Sequence, residues 1–201
     1  MRIIQIKGSN GSGKTTIVKQ LILLSNDVHE LVDKTGRIYA TVMQDIGWTA
    51  IGKYPEDSKM GGCDTMHSID EIKRAIQGVL RRRSMDWVVF EGMMISTIKS
   101  TFYDYLLDLN AHNPEIEPLF IILNTDVDNC IKRITGRGTR RLGLNEDNVR
   151  SKCEMIVRHA QTYDQQYVRW MYPDRLSLND MVFEFLKLVE DKMLLKELDY
   201  A

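Results

Sequence analysis

Apolar positions along this chain follow two periods, and the elements they predict alternate. Residues 2–6, RIIQI, form the short apolar run expected of a buried strand. The run ends at a glycine-rich stretch, after which Ile17, Leu21 and Leu24 recur at helical spacing. Residues 37–43 (RIYATVM) and 46–51 (IGWTAI) are β-rich and divided by Gln44-Asp45, which predicts a hairpin or two short strands. The stretch YPEDSKMGGCDTMH is loop by composition. Ser68 followed by Glu71 has the form of a capping box. It opens a helix with Ile72, Ile76, Val79 and Leu80 on one face, ending in Arg81-Arg82-Arg83, where cations suit the helix dipole.

Residues 87–90 and 119–123 are compact apolar strands that end at Glu91-Gly92 and Asn124. Thr125 or Asp126 can cap the next helix, with Val127, Ile131 and Ile134 inward. A further helix starts near Asn145 and packs through Val149, Ile156 and Val157. Residues 173–178 suggest a short last strand, and from Asp180 an amphipathic helix presents Met181, Phe185, Leu188 and Val189. Buried strands alternating with helices predict an α/β fold: three layers with a mostly parallel central sheet. Ligands in such sheets bind at the carboxyl ends of the strands. Gly8, Glu91 and Asn124 all fall there.

Composition narrows the classes. The 201 residues fit one domain over 1–201. Lys plus Arg total 27 and Asp plus Glu 28, so the net charge of −1 excludes a uniformly basic nucleic-acid coat and leaves only local patches. No apolar run approaches the roughly 18 residues of a membrane span. The first residues, MRIIQIKGSN, do not form a signal peptide, and a cytoplasmic protein is expected. Cys63, Cys130 and Cys153 are odd in number and dispersed, which argues for a reducing compartment rather than a disulfide framework. Four histidines without CxxC or HExxH argue against structural zinc.

Gly8-Ser9-Asn10-Gly11-Ser12-Gly13-Lys14-Thr15 matches G-x-x-x-x-G-K-[ST], between a strand and a helix as that motif requires. Glycines let successive N–H groups curl toward phosphate oxygens, and the following helix offers its positive end to the same anion. These eight residues and Thr16 are the expected ATP contacts. Lys14 reaches the β/γ-phosphates, and the Thr15 hydroxyl ligates Mg²⁺.

Glu91, at a strand end beside this loop, is expected to face the Mg²⁺ and the attacking oxygen, as base or as orienting group. Lys132, Arg133, Arg137, Arg140 and Arg141 cluster among Gly136, Gly138 and Gly143. An Arg-rich lid over about 135–146 follows, with Arg137 and Arg141 the best candidates to stabilise the transferring phosphoryl group; the alternative is a solvated basic loop. The acceptor side is expected over about 37–68. Within it, Asp64 of Met60-Gly61-Gly62-Cys63-Asp64-Thr65 accepts a hydroxyl proton or binds a base edge, unless the segment is a surface turn. Tyr39, Trp48 and Tyr54 read as core aromatics, with base stacking as the alternative. Arg81–Arg83 read as a solvated helix end, with nucleic-acid phosphates as the alternative. Cys63 reads as a small packed residue and His67 as a helix-flanking one.

Taken together, the phosphate loop, the strand ending in Phe90-Glu91-Gly92 and the Arg-rich segment resemble the nucleoside and nucleotide kinase branch of P-loop proteins. The region Asn124-Thr125-Asp126-Val127-Asp128 lacks the Lys of a guanine-reading N-K-x-D motif, so it does not look like a GTPase. Gly61-Gly62-Cys63-Asp64-Thr65 with Phe90-Glu91-Gly92 is similar to the 5-hydroxymethyluridine DNA kinases of phages that hypermodify thymine. The resemblance implies ATP-dependent phosphorylation of a hydroxymethyl group on a base already within DNA, in the host cytoplasm, with Lys14, Glu91, Asp64 and lid arginines as the working residues. Two other readings stand beside it. One is a deoxynucleoside monophosphate or nucleoside kinase, whose acceptor is free. The other is a nucleotide-binding ATPase or switch acting on a partner protein.

Overall fold

Side-chain alternation along β1 (Arg2–Lys7) sets the layering. Ile4 and Ile6 point into one apolar layer and Ile3 into the other, with Gln5 and Lys7 on the Ile3 side, as period-two geometry dictates. The computed structural model describes residues 1–57, 61–82, 85–136 and 145–191. Its sheet contains β2 (Val28–Val32), β3 (Ile38–Met43), β4 (Trp48–Ile51), β5 (Trp87–Glu91), β6 (Glu117–Leu123) and β7 (Val168–Met171) in the order β2-β3-β4-β5-β1-β6-β7. Central β1 runs parallel to β5 and β6, with Ile6 opposite both Glu91 and Ile121. The β4–β5 and β6–β7 pairs are parallel too, and the β2–β3–β4 meander is antiparallel.

Helices cover both faces, giving three layers. α1 (Lys14–Leu24) and α7 (Leu178–Val189) bury Ile17, Leu21, Phe185 and Val189 with Ile4 and Ile6. On the other face, α2 (Ile69–Leu80), the short α3 (Met93–Thr97), α4 (Lys99–His112) and α6 (Glu146–Gln161) bury Ile76, Ile95, Phe102 and Ile156 against Ile3, Phe90 and Phe120. α5 (Val127–Thr135) packs on α6. Aromatic pairs concentrate this packing. Trp48 stacks on Trp87 at 5.1 Å, and Tyr103 on Tyr163 at 4.0 Å. The Trp48 indole N–H donates to Asp191 at 2.9 Å, so this aromatic is core and cannot stack on a base. Tyr39 is half-buried against α2.

The structure departs from the sequence pattern in several places. Ser68 caps α2 by accepting from Glu71 N at 3.1 Å, yet the Glu71 carboxylate accepts from His67 N, one residue before a true box. Ser177 and Asp180 complete a full box at α7. β2 was not predicted: it is an edge strand with only Leu31 buried, so it carries no apolar run. The last strand is Val168–Met171 rather than 173–178, where Pro173 opens a 3-10 turn. α5 turns Cys130 inward and leaves Val127, Ile131 and Ile134 half-buried, because it lies beside a loop and α6 rather than on the sheet. Ala160 takes the inward place expected of Val157, and Leu186 that of Leu188. Arg83, Met60 and residues 137–144, with Arg137, Arg140 and Arg141 of the expected lid, lie outside the described residues.

Candidate active site

β1 delivers the chain at Lys7, and α1 begins at Lys14. Between them the loop winds tightly. Gly11 takes φ 81°, and a Cβ there would meet the Cys130 carbonyl oxygen at 2.5 Å, so neither backbone nor space admits a side chain. The first bond of α1 runs from Ile17 N to Gly13 O. The N–H groups of Lys14, Thr15 and Thr16 therefore stand outside the helical ladder at its positive end. The Lys14 amine folds back over the loop and donates to Gly8 O at 2.9 Å and Ser9 O at 3.0 Å. The Ser12 hydroxyl is buried with no hydrogen-bond partner among the described residues. Amide donors at a helix start, a cation and an unpaired hydroxyl suit a polyphosphate.

Glu91 closes β5 one strand away. It is fully buried, and its Oε1 accepts from the Thr15 hydroxyl at 2.9 Å, while Oε2 has no hydrogen-bond partner among the described residues. Burial raises its pKa to about 7; Lys14 and the Thr15 hydroxyl pull down, and Asp64 pushes up.

The acceptor-side segment reaches Glu91 through Gly62. Gly62 sits at φ 61°, and a Cβ there would lie 2.7 Å from Glu91 Oε1 and 2.8 Å from the Tyr54 hydroxyl. Its N–H donates to Lys53 O at 3.0 Å, which ties the segment to the exit of β4. The 3-10 turn at Cys63–Thr65 then places Asp64, whose Oδ1 and Oδ2 accept from Met93 N at 2.9 and 3.0 Å. Met93 follows Glu91 by two residues, so both carboxylates are fixed to one strand end. Cys63 is buried, and Tyr54 forms part of the wall.

Further groups hold this assembly. The Ile95 carbonyl of α3 accepts from Gln5 Nε2 at 3.1 Å and Lys7 Nζ at 3.4 Å, and Gly8 N donates to the Ser96 hydroxyl at 3.4 Å. Lys7 is fully buried, and burial lowers its pKa to about 7. Arg133 donates to Gly11 O at 3.3 Å and pairs with Asp174 at 3.0 Å. Expected as one cation of a basic cluster, Arg133 is a brace under the loop.

The phosphate loop, Glu91 and Asp64 thus converge, with Asn10 exposed at the rim. Arg81 and Arg82 do not join them. They follow α2, which leads to the start of β5, whereas Glu91 ends it. His67 is exposed beside the α2 cap. Sequence reasoning did not find Lys7, Ser96 or the brace role of Arg133. A charged residue closing an otherwise apolar strand was the one signal for Lys7; the others depend on helices whose placement no local pattern gives.

A family model described as 5-hmdU DNA kinase matches residues 2–173. The 5-hmdU DNA kinase of Bacillus phage SP10 is 26% identical over 195 residues, covering 95% of this chain and 30% of that protein. The chain therefore spans under a third of that relative's length. The 5-hmdU DNA kinase 1 of Salmonella phage ViI is 28% identical over 187 residues, covering 90% of this chain and 81% of the relative. The 5-hmdU DNA kinase of Pseudomonas phage PaMx11 is 25% identical over 183 residues, covering 87% and 91%. The loop at 8–16, Lys7, Asp64, Glu91 and Arg133 fall within the matched span, and the chain belongs to the 5-hmdU DNA kinase family.

Proposed function

We propose that this protein transfers the γ-phosphate of ATP to the hydroxymethyl oxygen of 5-hydroxymethyluridine in DNA. The observation that carries the reading is the family match over 2–173, which contains the converged loop, Glu91 and Asp64. The loop amides and Lys14 grip the β/γ-phosphates, Lys14 exchanging the Gly8 and Ser9 carbonyls for phosphate oxygens. Glu91, holding its proton affinity near neutrality, orients the acceptor hydroxyl and takes its proton. Asp64, locked by Met93 N, positions the acceptor. Arg137 and Arg141 are proposed to spread charge off the transferring group, from outside the described residues.

The Thr15 hydroxyl and Glu91 Oε2, which has no partner among the described residues, are hard oxygens of the kind Mg²⁺ takes alongside substrate phosphates, and these two residues would hold it. When bound, the ion neutralises charge on the phosphate oxygens. A base inside a duplex cannot reach Glu91, so the target must leave the stack. No helix among the described residues is long and apolar enough to cross a membrane; the reading places the enzyme in the host cytoplasm, acting as one kinase domain.

The net charge of −1 favours one other acceptor, a free deoxynucleoside or its monophosphate, which needs no extended cationic surface. One experiment separates them: γ-labelled ATP offered with hydroxymethyluracil-containing duplex, ordinary DNA, and deoxynucleosides and their monophosphates. Label confined to the modified duplex is the expected result. Label in free nucleotides alone would replace the DNA reading, and rapid ATP hydrolysis with no labelled acceptor would replace the kinase reading.

A further inference from the structure

Two cysteines from different helices meet at the phosphate loop. Cys130 of α5 is fully buried, and Cys153 of α6 is partly exposed. The Ser9 hydroxyl lies between them, donating to Cys130 Sγ at 3.3 Å and accepting from Cys153 Sγ at 3.0 Å. Both sulfurs thus lie within 3.3 Å of one oxygen. Neither thiol has a place in phosphoryl transfer. The Cys130 backbone is in addition the surface on which Gly11 rests. A change at this pair therefore reaches two residues of the loop directly.

We propose that Cys130 and Cys153 form a peroxide-reactive thiol pair whose oxidation to a disulfide disables the phosphate loop. The proposal rests on the reading of residues 8–16 as the ATP site. Cys153 is the attacking group: it is the more exposed, and its pKa is lowered by the hydrogen bond from Cys130, with Lys14 and Arg150 adding their positive charge. Its thiolate attacks one peroxide oxygen, the O–O bond breaks, and the departing hydroxide takes a proton and leaves as water. The resulting sulfenic acid is attacked by the Cys130 sulfur; the S–S bond forms, the S–O bond breaks, and the oxygen departs as a second water with the Cys130 proton. Two thiols are oxidised as one peroxide is reduced. Ser9 loses both sulfur partners, and α5 and α6 become covalently joined across the loop it occupies.

The test uses the full chain and hydrogen peroxide. Thiol titration after treatment is expected to fall from three groups to one, the buried Cys63, with peptide mapping locating a Cys130–Cys153 disulfide. Turnover should drop about a hundredfold, as for a misplaced catalytic element, and return on adding dithiothreitol. C153S, which keeps a hydroxyl at the Ser9 contact, should retain its own untreated rate after peroxide. C130S should stop at the sulfenic acid; if it fails to fold, C153S still decides. Three thiols after treatment, a disulfide with unchanged turnover, or equal inactivation of C153S would each overturn the proposal. ATP binding by the untreated chain checks the underlying site separately, since its absence would remove that reading whatever the thiols do.

Discussion

The Thr15 hydroxyl donates to Glu91 Oε1 at 2.9 Å, joining the first turn of α1 to the last residue of β5. Through this contact the glycine-rich loop and a buried carboxylate are held together. The same carboxylate has a second oxygen that is buried and, among the described residues, without a hydrogen-bond partner, so one of its oxygens is committed to the loop and the other is not.

That arrangement sets the expected behaviour of Glu91→Gln. The amide oxygen can still accept from Thr15, so ATP binding should persist while turnover falls by two orders of magnitude or so. Near-normal phosphate transfer to the modified duplex would remove Glu91 from the chemistry.

The same substitution has a stability signature. The folded state holds a proton on Glu91 up to about pH 7, while the unfolded chain releases it near 4.5. The folded state thus binds more protons between these values, and stability is lost as pH rises through that window. The span corresponds to a loss on the order of 3 kcal/mol. E91Q should melt several degrees above the parent at pH 8 and close to it at pH 4.5, and equal shifts at both would refute the buried-charge account.

Lys7 should show the opposite slope. Burial lowers its amine to about 7 from 10.5, so the unfolded chain binds the extra proton across that interval and stability rises with pH. Lys7→Met is expected to raise Tm at pH 6 and to lose that advantage by pH 10. A pH-independent shift would show that the amine is neutral or solvated throughout.

Lys14→Ala should leave circular dichroism unchanged and reduce phosphate transfer about a thousandfold, since the amine donates to the loop carbonyls of Gly8 and Ser9. Undiminished turnover by a folded variant would contradict the proposed grip.

Two glycines should respond with opposite signs. In Gly62→Ala the new methyl meets Glu91 and Tyr54 below 3 Å at a positive φ, so the expected cost is about 2–3 kcal/mol, with activity lost as well. In Gly78→Ala, inside α2, it meets only Tyr39 at 3.7 Å, and a gain of about 0.5–1 kcal/mol is expected. Urea melts of both variants check the contrast.

These sites differ in how far the sequence alone reveals them. The loop at 8–15 is legible because strand, glycines and helix are contiguous and each has a local reason for its residues. Glu91 is legible because an apolar run stops at it. The role of Arg133 is not legible: read only as one cation of a basic cluster, its guanidinium bonds Gly11 O and pairs with Asp174, which comes from a turn far along the chain. β2 was hidden for a different reason, since an exposed edge strand has one buried residue and no period to read. Asp64 falls between: its segment reads as loop, and only the Met93 amide shows why the carboxylate stays where it is.

The central position of β1 bears on how the chain folds. Its partners β5 and β6 come roughly 85 and 115 residues later, so the loop that follows β1 has no walls until distant segments have arrived. Such late pairing slows folding, because closure entropy precedes the contacts that offset it. A nucleotide bound there would then recognise only chains whose core is complete and would stabilise them by mass action. Its concentration in the cell would set how much of the newly made protein survives proteolysis, as well as how fast it works.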